Sequence, residues 1–221
     1  CFVAWTTTPW TLPSNVALCV GPKIEYVIVE TYNPYDAEKL TLVMAASRVA
    51  AYLKSEGEIT DGGELPEYDR GDKYVPYRIV GRVMGTELEG LHYQQLMPWV
   101  KPVEQTGDFA PKFVNDYAAA HPEKVFASED GRDKFVEMES EAFRIILGDY
   151  VTTDDGTGIV HIAPTFGADD AKVAKDANIP ALYLISKKGQ TRPMVDLQGK
   201  YYTIEELDQN FVKACVNEKA Y

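Results

Sequence analysis

The amino-acid sequence predicts a mixed α/β protein of the α+β type, in which helices surround a β-rich core. Short apolar stretches of strand-forming composition recur along the chain, for example at residues 16–20, 26–30, 40–45 and 78–84. Turn-forming residues separate them, since the 221 residues include 16 glycines and 13 prolines. Strands and helices do not alternate regularly, so a doubly wound parallel sheet is not indicated.

Further strands are predicted from β-rich runs that end at turn signals. The first covers residues 2–7 and is broken at Pro9, after which residues 10–15 form a loop shaped by proline. Residues 86–91 are expected to continue the preceding sheet after a turn. The other runs lie at residues 142–147, 158–162 and 181–185.

Helices are predicted at three places in the chain. Ser47 is expected to cap a helix at residues 48–55. Residues 168–176 form a short helix that ends before Pro180. The last helix, at residues 204–218, is amphipathic because its apolar residues recur at helical spacing. Turn signals stand at residues 61–63, 154–156 and 188–189.

Residues 1–221 are predicted to form a single domain that belongs to a longer protein. The chain starts at Cys1, without a methionine, in a stretch that already resembles a strand. Residues 104–141 are polar, charged and poorly periodic. We therefore expect an insertion or an irregular excursion in that region.

Composition and charge exclude several classes of protein. The formal net charge of −12 disfavours a surface that grips a long nucleic-acid backbone, because phosphate binding relies on Lys and Arg. No apolar run approaches the length of a membrane span, and no signal peptide is visible. The 3 cysteines show no CxxC spacing, which indicates neither a zinc site nor a disulfide framework. We expect a cytoplasmic protein with no membrane partner.

The usual catalytic motifs of hydrolases are missing from the sequence. The 3 histidines are far apart and form no HExxH pattern, and there is no GxSxG serine elbow. The DDGTG stretch at residues 154–158 lacks the GK[ST] ending of a phosphate loop, so a tight turn explains it better. If the chain is an enzyme, we expect it to use no metal, no cofactor and no covalent serine.

The first unusual segment is a threonine-rich run, WTTTPWTLPSN, at residues 5–15. Threonine favours strands, so a strand end followed by a rigid turn is one interpretation. The other is a cluster of hydroxyls and backbone N–H groups that faces a cleft. Such groups orient a ribose or a water molecule without carrying charge.

The second unusual segment, GTGIVHIAPTFGADD at residues 156–170, leads from a β-rich run through a Pro/Gly loop into a helix. Asp169 and Asp170 fall in the first turn of that helix, where one carboxylate is explained by capping and the helix dipole. Two adjacent carboxylates exceed what capping needs. One of them is therefore a candidate to face a cleft and pair with an ammonium group. His161, taken alone, is more typical of a structural histidine than of a catalyst.

Together these segments resemble the editing domain of isoleucyl-tRNA synthetases, in the class I aminoacyl-tRNA synthetase family. The likeness covers most of the chain and includes GTELEGLHYQQLMPW at residues 85–99. The leucyl and valyl relatives carry Arg-Pro after a threonine pair, whereas this chain has Thr8, Pro9 and Trp10. The resemblance implies a β-barrel-like core with peripheral helices.

The resemblance also implies roles for particular residues. Asp170 would hold the α-ammonium of the misattached amino acid, and His161 would limit the size of its side-chain pocket. Asp169 would be the helix-capping partner. The remaining residues would line the site, contact the terminal adenosine, place the attacking water or shape the loop, and they are Thr6, Thr7, Thr8, Trp10 and Asn15.

The implied activity is hydrolysis of Val-tRNA(Ile), with valyl-adenylate left open as a second substrate. Isoleucine would be excluded sterically, and Asp170, Thr7 and Thr8 would be the catalytic group. The implied partners are the 3′ end of tRNA(Ile) carrying valine and the other domains of the parent synthetase. Two alternatives remain: a valyl-type domain acting on Thr-tRNA, and a non-catalytic domain that docks the tRNA 3′ end.

Overall fold

The computed structural model describes residues 1–60, 62–196 and 198–221. Its strands are β1 (Ala17–Val20), β2 (Glu25–Tyr32), β3 (Lys39–Ala45), β4 (Arg78–Met84), β5 (Val103–Gln105), β6 (Val125–Ala127), β7 (Lys134–Glu137), β8 (Arg144–Leu147), β9 (Ile159–Ile162), β10 (Leu184–Ile185) and β11 (Thr191–Arg192). Its α-helices are α1 (Val49–Tyr52), α2 (Gly85–Leu88), α3 (Lys112–Ala120), α4 (Ala168–Asp176) and α5 (Gln209–Cys215). Short 3₁₀ helices cover Pro9–Ser14, Ala46–Arg48, Ser55–Gly57, Pro122–Lys124, Glu139–Glu141 and Ile204–Glu206.

These elements confirm the predicted mixed α/β class. They form small sheets with the orders β3-β2-β4, β8-β1-β9, β5-β7-β6 and β10-β11. Within the described ranges no sheet closes on itself, so the barrel-like core that the resemblance implied is not a closed barrel. Across those same ranges, no helix combines the length and the apolar character that a bilayer crossing requires.

The chain divides into two compact units. The first contains residues 1–6, 19–90 and 145–160, and the second contains residues 7–18, 91–144 and 161–221. Strands β1, β8 and β9 each contain residues of both units, so the chain passes from one unit to the other within them.

The first unit is built on the antiparallel sheet β3-β2-β4. The central strand β2 pairs with β3 from Tyr26 to Tyr32, and Ile28 lies opposite Val43. Val27 and Val29 of β2 and Met44 of β3 pack into a buried cluster with Val49 of α1 and with Tyr77, which precedes β4. The three predicted strands at 26–30, 40–45 and 78–84 are confirmed here as β2, β3 and β4, and the alternation of more and less exposed residues is clearest along β4.

The predicted strand at residues 86–91 is wrong, because α2 begins at Gly85. A Cβ atom on Gly85 would lie 2.0 Å from the carbonyl oxygen of Gly21, so only glycine allows the turn that ends β4. The Glu87 carboxylate then accepts a hydrogen bond from the Met84 amide at 2.7 Å, which satisfies a donor at the helix start. Leu88 turns inward and is buried.

The start of the chain also differs from its predicted form. Residues 2–7 form isolated bridges, at Phe2 with Val43 and Trp5 with Val160, in place of a continuous strand. The predicted loop at 10–15 is a 3₁₀ helix, Pro9–Ser14. Proline at its first position fixes a φ angle that a 3₁₀ helix shares, so the same residue that breaks the extended chain starts the helix.

The helix predicted at residues 48–55 begins differently from expectation. Ser47 lies inside the 3₁₀ helix Ala46–Arg48, and α1 begins after it without a side-chain cap. The predicted turn at 61–63 includes Asp61, which lies outside the described residues.

In the second unit, residues 104–141 are more regular than their sequence pattern indicated. They supply most of the antiparallel sheet β5-β7-β6 and the whole of α3. Val114 of α3 packs with Val136 and Met138 in a cluster whose buried members are fully enclosed. The strands are only three or four residues long, which is too short for a period of two to stand out.

The predicted C-terminal helix, residues 204–218, is broken in two by Asp208. This side chain is 0% exposed and accepts hydrogen bonds from the amides of Asn210 and Phe211, both at 3.0 Å. An N-cap residue has extended dihedral angles, so the helix starts afresh as α5. The apolar residues keep their helical spacing on both sides of Asp208, so the sequence pattern gave no sign of the break. The strand predicted at 181–185 is shorter in the structure, where β10 covers only Leu184–Ile185. Its pairing partner β11 also has two residues.

We predict that Asp208→Ala lowers the free energy of unfolding by about 2 to 4 kcal/mol, because it removes the N-cap and leaves a partly buried amide without its acceptor. That amide belongs to Glu129, which donates to the second Asp208 oxygen at 2.7 Å. Urea unfolding measures the change. Asp116→Ala, which removes an exposed partner of Lys112, is the control and should change stability by about 0.5 kcal/mol or less. Equal effects of the two variants would contradict the role given to Asp208.

Candidate functional site

The threonine-rich segment enters the second unit at Thr7 and turns into the 3₁₀ helix Pro9–Ser14. Thr8 is the residue before that helix, and its carbonyl accepts hydrogen bonds from the Thr11 amide at 3.0 Å and the Thr11 hydroxyl at 2.7 Å. Because prolines fix the backbone on either side, this turn is held in one conformation. Thr8 is half-buried and Thr11 is only 6% exposed.

The opposite segment runs from β9 into α4. His161 lies on β9 and is 7% exposed, and the strand is held beside the threonine segment by a hydrogen bond from the Val16 amide to the Ile162 carbonyl, at 3.0 Å. A tight loop follows. It is closed by the Asp170 carboxylate, whose Oδ2 accepts from the Ala163 amide at 2.8 Å.

One hydroxyl joins the two segments. Thr11 Oγ1 lies 3.1 Å from His161 Nε2 and 3.3 Å from the Thr8 hydroxyl. Buried polar contacts of this kind hold a site in one arrangement, since each broken bond would leave a group unpaired. The threonine segment and the histidine strand therefore share a fixed geometry.

A cavity of about 330 Å³ lies between these segments, at the low end of the range for sites that bind small molecules. Among the described residues, its walls are formed by Thr8, Trp10, Thr11, His161, Ala163, Phe166, Gly167, Ala168, Asp169 and Asp170. The only formally charged side chains in this set are the two carboxylates. A positively charged group of modest size is the ligand that such a cavity favours.

Burial keeps the imidazole in this cavity wall neutral. It lowers the pKa of His161 below 6.5, and the nearby Asp170 carboxylate opposes the shift by a smaller amount. A neutral imidazole does not compete with a cationic ligand for the Asp170 carboxylate.

Comparison with known proteins places this segment in one family. No protein-family model matches the chain. The isoleucine–tRNA ligase of Bacteroides thetaiotaomicron is 52% identical over 220 residues, which is 100% of this chain and 16% of that protein. The enzyme of Porphyromonas gingivalis is 45% identical over 213 residues, and that of Thermoplasma acidophilum is 32% identical over 201 residues, covering 96% and 90% of this chain. The chain belongs to the isoleucine–tRNA ligase family.

The chain spans about 16% of the length of the curated ligases that it matches, so it corresponds to one segment of the enzyme. Among solved structures, a crystal structure described as GlLeuRS-CP1 aligns with 80% of this chain and 49% of its own. The TM-score is 0.40 and the sequence identity 14%, a likeness that carries no conclusion.

The ligase segment brings four of the sequence-predicted site residues to one cavity: Thr8, Trp10, His161 and Asp170. Thr7 is exposed and is not among the residues that form the cavity walls. Thr6 belongs to the first unit, so its place at the site stays a prediction.

Asn15 has a structural environment. It is 5% exposed, its Nδ2 donates to the Ala17 carbonyl at 2.8 Å, and its Oδ1 accepts from the Tyr93 hydroxyl at 2.6 Å. Both ends of the amide are therefore engaged within the protein. Burial also raises the pKa of Tyr93, so this hydroxyl remains a donor. A direct role for Asn15 in substrate binding stays a prediction.

The capping role expected for Asp169 is wrong. Asp169 was expected to cap α4, but the N-cap residue is Gly167 and no side chain caps the helix. Asp169 is exposed, whereas Asp170 is half-buried and accepts the backbone hydrogen bond from Ala163. Neither aspartate is the N-cap residue, because α4 begins at Ala168 and both lie inside its first turn. Of the two, Asp170 is the one whose carboxylate reaches back to the loop.

Sequence reasoning missed Thr11, which is the buried centre of the hydrogen-bond network. It lies three residues after Thr8 across a proline turn, and that spacing was the available signal, since positions i and i+3 meet in a 3₁₀ helix. Phe166 and Ala163 in the cavity wall were also missed. Their part in the site depends on the path of the loop between β9 and α4.

We predict that His161 makes the stability of the ligase segment fall as the pH falls below about 6.5. Its folded-state pKa is depressed, so between that pKa and 6.5 the unfolded chain binds a proton that the folded chain does not. The contribution is complete above 6.5 and is lost towards the folded-state pKa. Urea unfolding between pH 5 and 8, in the presence of about 0.1 M salt, compares wild type with His161→Gln.

The wild-type curve should fall more steeply with acidification than that of His161→Gln. Groups common to both proteins cancel in the difference. Parallel curves would show that the buried histidine is not held neutral.

Proposed function

We propose that this segment is the editing domain of its ligase and hydrolyses valine wrongly joined to tRNA(Ile). One observation carries the proposal: the Asp170 carboxylate and the hydroxyl-bearing threonine turn line a single cavity that contains no side-chain cation among the described residues. An aminoacyl ester presents an α-ammonium, a carbonyl and a ribose, and this wall offers a partner for each.

The α-ammonium of the substrate would be recognised by its charge, through the Asp170 carboxylate. The Ala163 amide donates to one oxygen of Asp170, which orients the carboxylate in the first turn of α4. A half-buried carboxylate in a cavity pairs with an ammonium through charge-assisted hydrogen bonds. Neutral His161 leaves that carboxylate available.

Size selection is the reason for a second site in such a ligase. A pocket built for isoleucine cannot strongly reject valine, since one methylene is worth only about 1 to 3 kcal/mol, and isoleucyl enzymes are themselves the standard example of this limit. A second cavity reverses the selection by steric exclusion. Forcing an extra methylene into a packed wall costs about 1 to 3 kcal/mol. The rigid wall that His161 forms with Thr11 suits this task.

The chemical step needs little beyond positioning. The oxygen of a water molecule attacks the ester carbonyl, the bond between the carbonyl carbon and the ribose oxygen breaks, and that oxygen gains a proton. Valine and a free tRNA 3′ end leave. Because the ester is already activated, a held water and a stabilised oxyanion supply the acceleration. Thr8 in the cavity wall, with Thr7 beside it in sequence, would place the water and the terminal adenosine.

The acidic charge suits a domain that receives only the end of the tRNA. With a net charge of −12 the segment is poorly suited to hold the phosphate backbone. We infer that the other domains of the ligase hold the tRNA and deliver its 3′ end here. As part of a translation enzyme it would act in the cytoplasm.

We predict that Asp170→Asn in the full-length ligase lowers kcat/KM for deacylation of Val-tRNA(Ile) by about 30-fold or more. Removing the charge from a desolvated pair costs about 2 kcal/mol at least, while asparagine still accepts from the Ala163 amide. The matched variant Asp169→Asn removes the same charge from the exposed neighbour and should have a much smaller effect. Equal activity of wild type and Asp170→Asn, with purified Val-tRNA(Ile), contradicts the proposed function.

We predict that His161→Ala allows the full-length ligase to deacylate Ile-tRNA(Ile), with a rate increase of about tenfold or more over wild type. Loss of the imidazole enlarges the cavity by more than the volume of the one methylene that separates the two amino acids. His92→Ala, at an exposed position elsewhere in the chain, is the control. If Ile-tRNA(Ile) survives equally with both variants, His161 does not set the size limit.

A further inference from the structure

The Thr11 hydroxyl has one hydrogen and three polar neighbours. It lies 2.7 Å from the Thr8 carbonyl oxygen, 3.1 Å from His161 Nε2 and 3.3 Å from the Thr8 hydroxyl oxygen. A hydroxyl donates one hydrogen bond and accepts two. Which partner donates in each hydrogen bond can therefore be decided by asking which neighbours are unable to donate.

The shortest contact fixes the hydrogen of Thr11. A carbonyl oxygen only accepts, and two oxygens at 2.7 Å with no hydrogen between them would repel each other. The Thr11 hydroxyl therefore donates to the Thr8 carbonyl. Its contact with His161 then requires the imidazole to donate, so the proton of the neutral ring is on Nε2.

The other ring nitrogen supports the same assignment. His161 Nδ1 is buried and has no hydrogen-bond partner among the described residues. A bare lone pair there costs less than an N–H group would, because a buried unpaired donor loses strong hydrogen bonds to water. A second proton on this nitrogen would add a buried charge as well.

We propose that Thr11 is a positioning residue that holds His161 as the Nε2–H tautomer and fixes the plane of its ring in the cavity wall. The Thr11 hydroxyl donates a hydrogen bond to the backbone of the threonine turn and accepts one from the Nε2–H group of the imidazole. The position of the wall is therefore set by the turn that also carries Thr8.

The consequence for selectivity rests on the proposed editing function. A steric limit works only if the wall does not move by the size of one methylene, because rotation of an imidazole opens a comparable space. Thr11 supplies this rigidity through its hydrogen bond with the imidazole. Its loss should relax the choice between valine and isoleucine more than it slows hydrolysis.

The test is the tautomer of His161, read by NMR of the chain labelled with ¹⁵N-histidine. With only 3 histidines present, the His161 signals are assigned by their absence from His161→Gln. Protonated and bare ring nitrogens have well-separated ¹⁵N shifts, and each couples to the ring carbon-bound protons with its own pattern. At pH 7.5, wild type should show a protonated Nε2 and a bare Nδ1.

The variants separate positioning from packing. Thr11→Val keeps the side-chain volume but removes the acceptor, so its His161 signals should shift towards a mixture of tautomers. Thr11→Ser keeps the hydroxyl and should retain the wild-type pattern. A wild-type ring protonated on Nδ1 overturns the proposal, as does a Thr11→Val spectrum identical to that of wild type. If Thr11→Val does not fold, the wild-type and Thr11→Ser spectra still decide the tautomer.

Deacylation assays with the full-length ligase then test the consequence. The ratio of Val-tRNA(Ile) to Ile-tRNA(Ile) hydrolysis should fall by about tenfold in Thr11→Val, and by less in Thr11→Ser. An unchanged ratio beside an altered spectrum overturns the consequence for selectivity. A wild-type ligase that hydrolyses neither substrate overturns the editing function and leaves the tautomer assignment intact.

Discussion

A single hydrogen bond from the Ala163 amide to the Asp170 carboxylate fixes the feature on which the site depends. It closes the loop between β9 and α4 at 2.8 Å and orients a charged group that would otherwise rotate freely. The carboxylate lies in the first turn of α4, where acidic side chains interact favourably with the helix dipole. A carboxylate held in this way provides a defined place for a cation in a cavity whose other walls, apart from Asp169, are formed by apolar and uncharged polar groups.

The opposite wall is defined by neutral groups. Prolines hold the threonine turn, and Thr11 connects it to His161 through buried hydrogen bonds. Because burial keeps His161 uncharged, the proposed function divides two tasks between the walls of the cavity. One side would bind the ammonium charge, and the other would limit the size of the side chain without contributing charge. An editing site that must accept any aminoacyl ammonium but only a small side chain needs this separation.

Where sequence reasoning succeeded, local physics was sufficient. Apolar strand-forming runs identify β2 and β3, and alternation of apolar and polar residues identifies β4. The helix α4 was predicted with the bounds Ala168–Asp176 because Gly and Pro mark both of its flanks. Thr8, Trp10, His161 and Asp170 share a cavity because two long motifs, distant in sequence, meet in the second unit. The motifs together with the resemblance identified these residues. Neither the motifs nor the resemblance could give the distances between these residues in the folded chain.

Where it failed, tertiary contacts overrode the local pattern. Gly85 begins a helix because the Gly21 carbonyl occupies the space of a Cβ atom, and no window of sequence around residue 85 contains that contact. Asp208 breaks a continuous apolar pattern by capping α5. Thr11 was overlooked for the same reason, since its importance comes from His161, 150 residues away. The capping role for Asp169 was wrong although the bounds of α4 were right: a helix that begins at Ala168 has Gly167 as its N-cap residue, so Asp169 already lies inside the first turn.

The most direct measurement of the central claim is a crystal structure of the chain with a non-hydrolysable valyl-adenosine analogue, in which an amide replaces the ester. Our account predicts that the valyl ammonium lies about 3 Å from an Asp170 oxygen, with the side chain against His161 and the ribose beside the threonine turn. An analogue bound elsewhere, or bound here with its ammonium away from Asp170, would contradict the account.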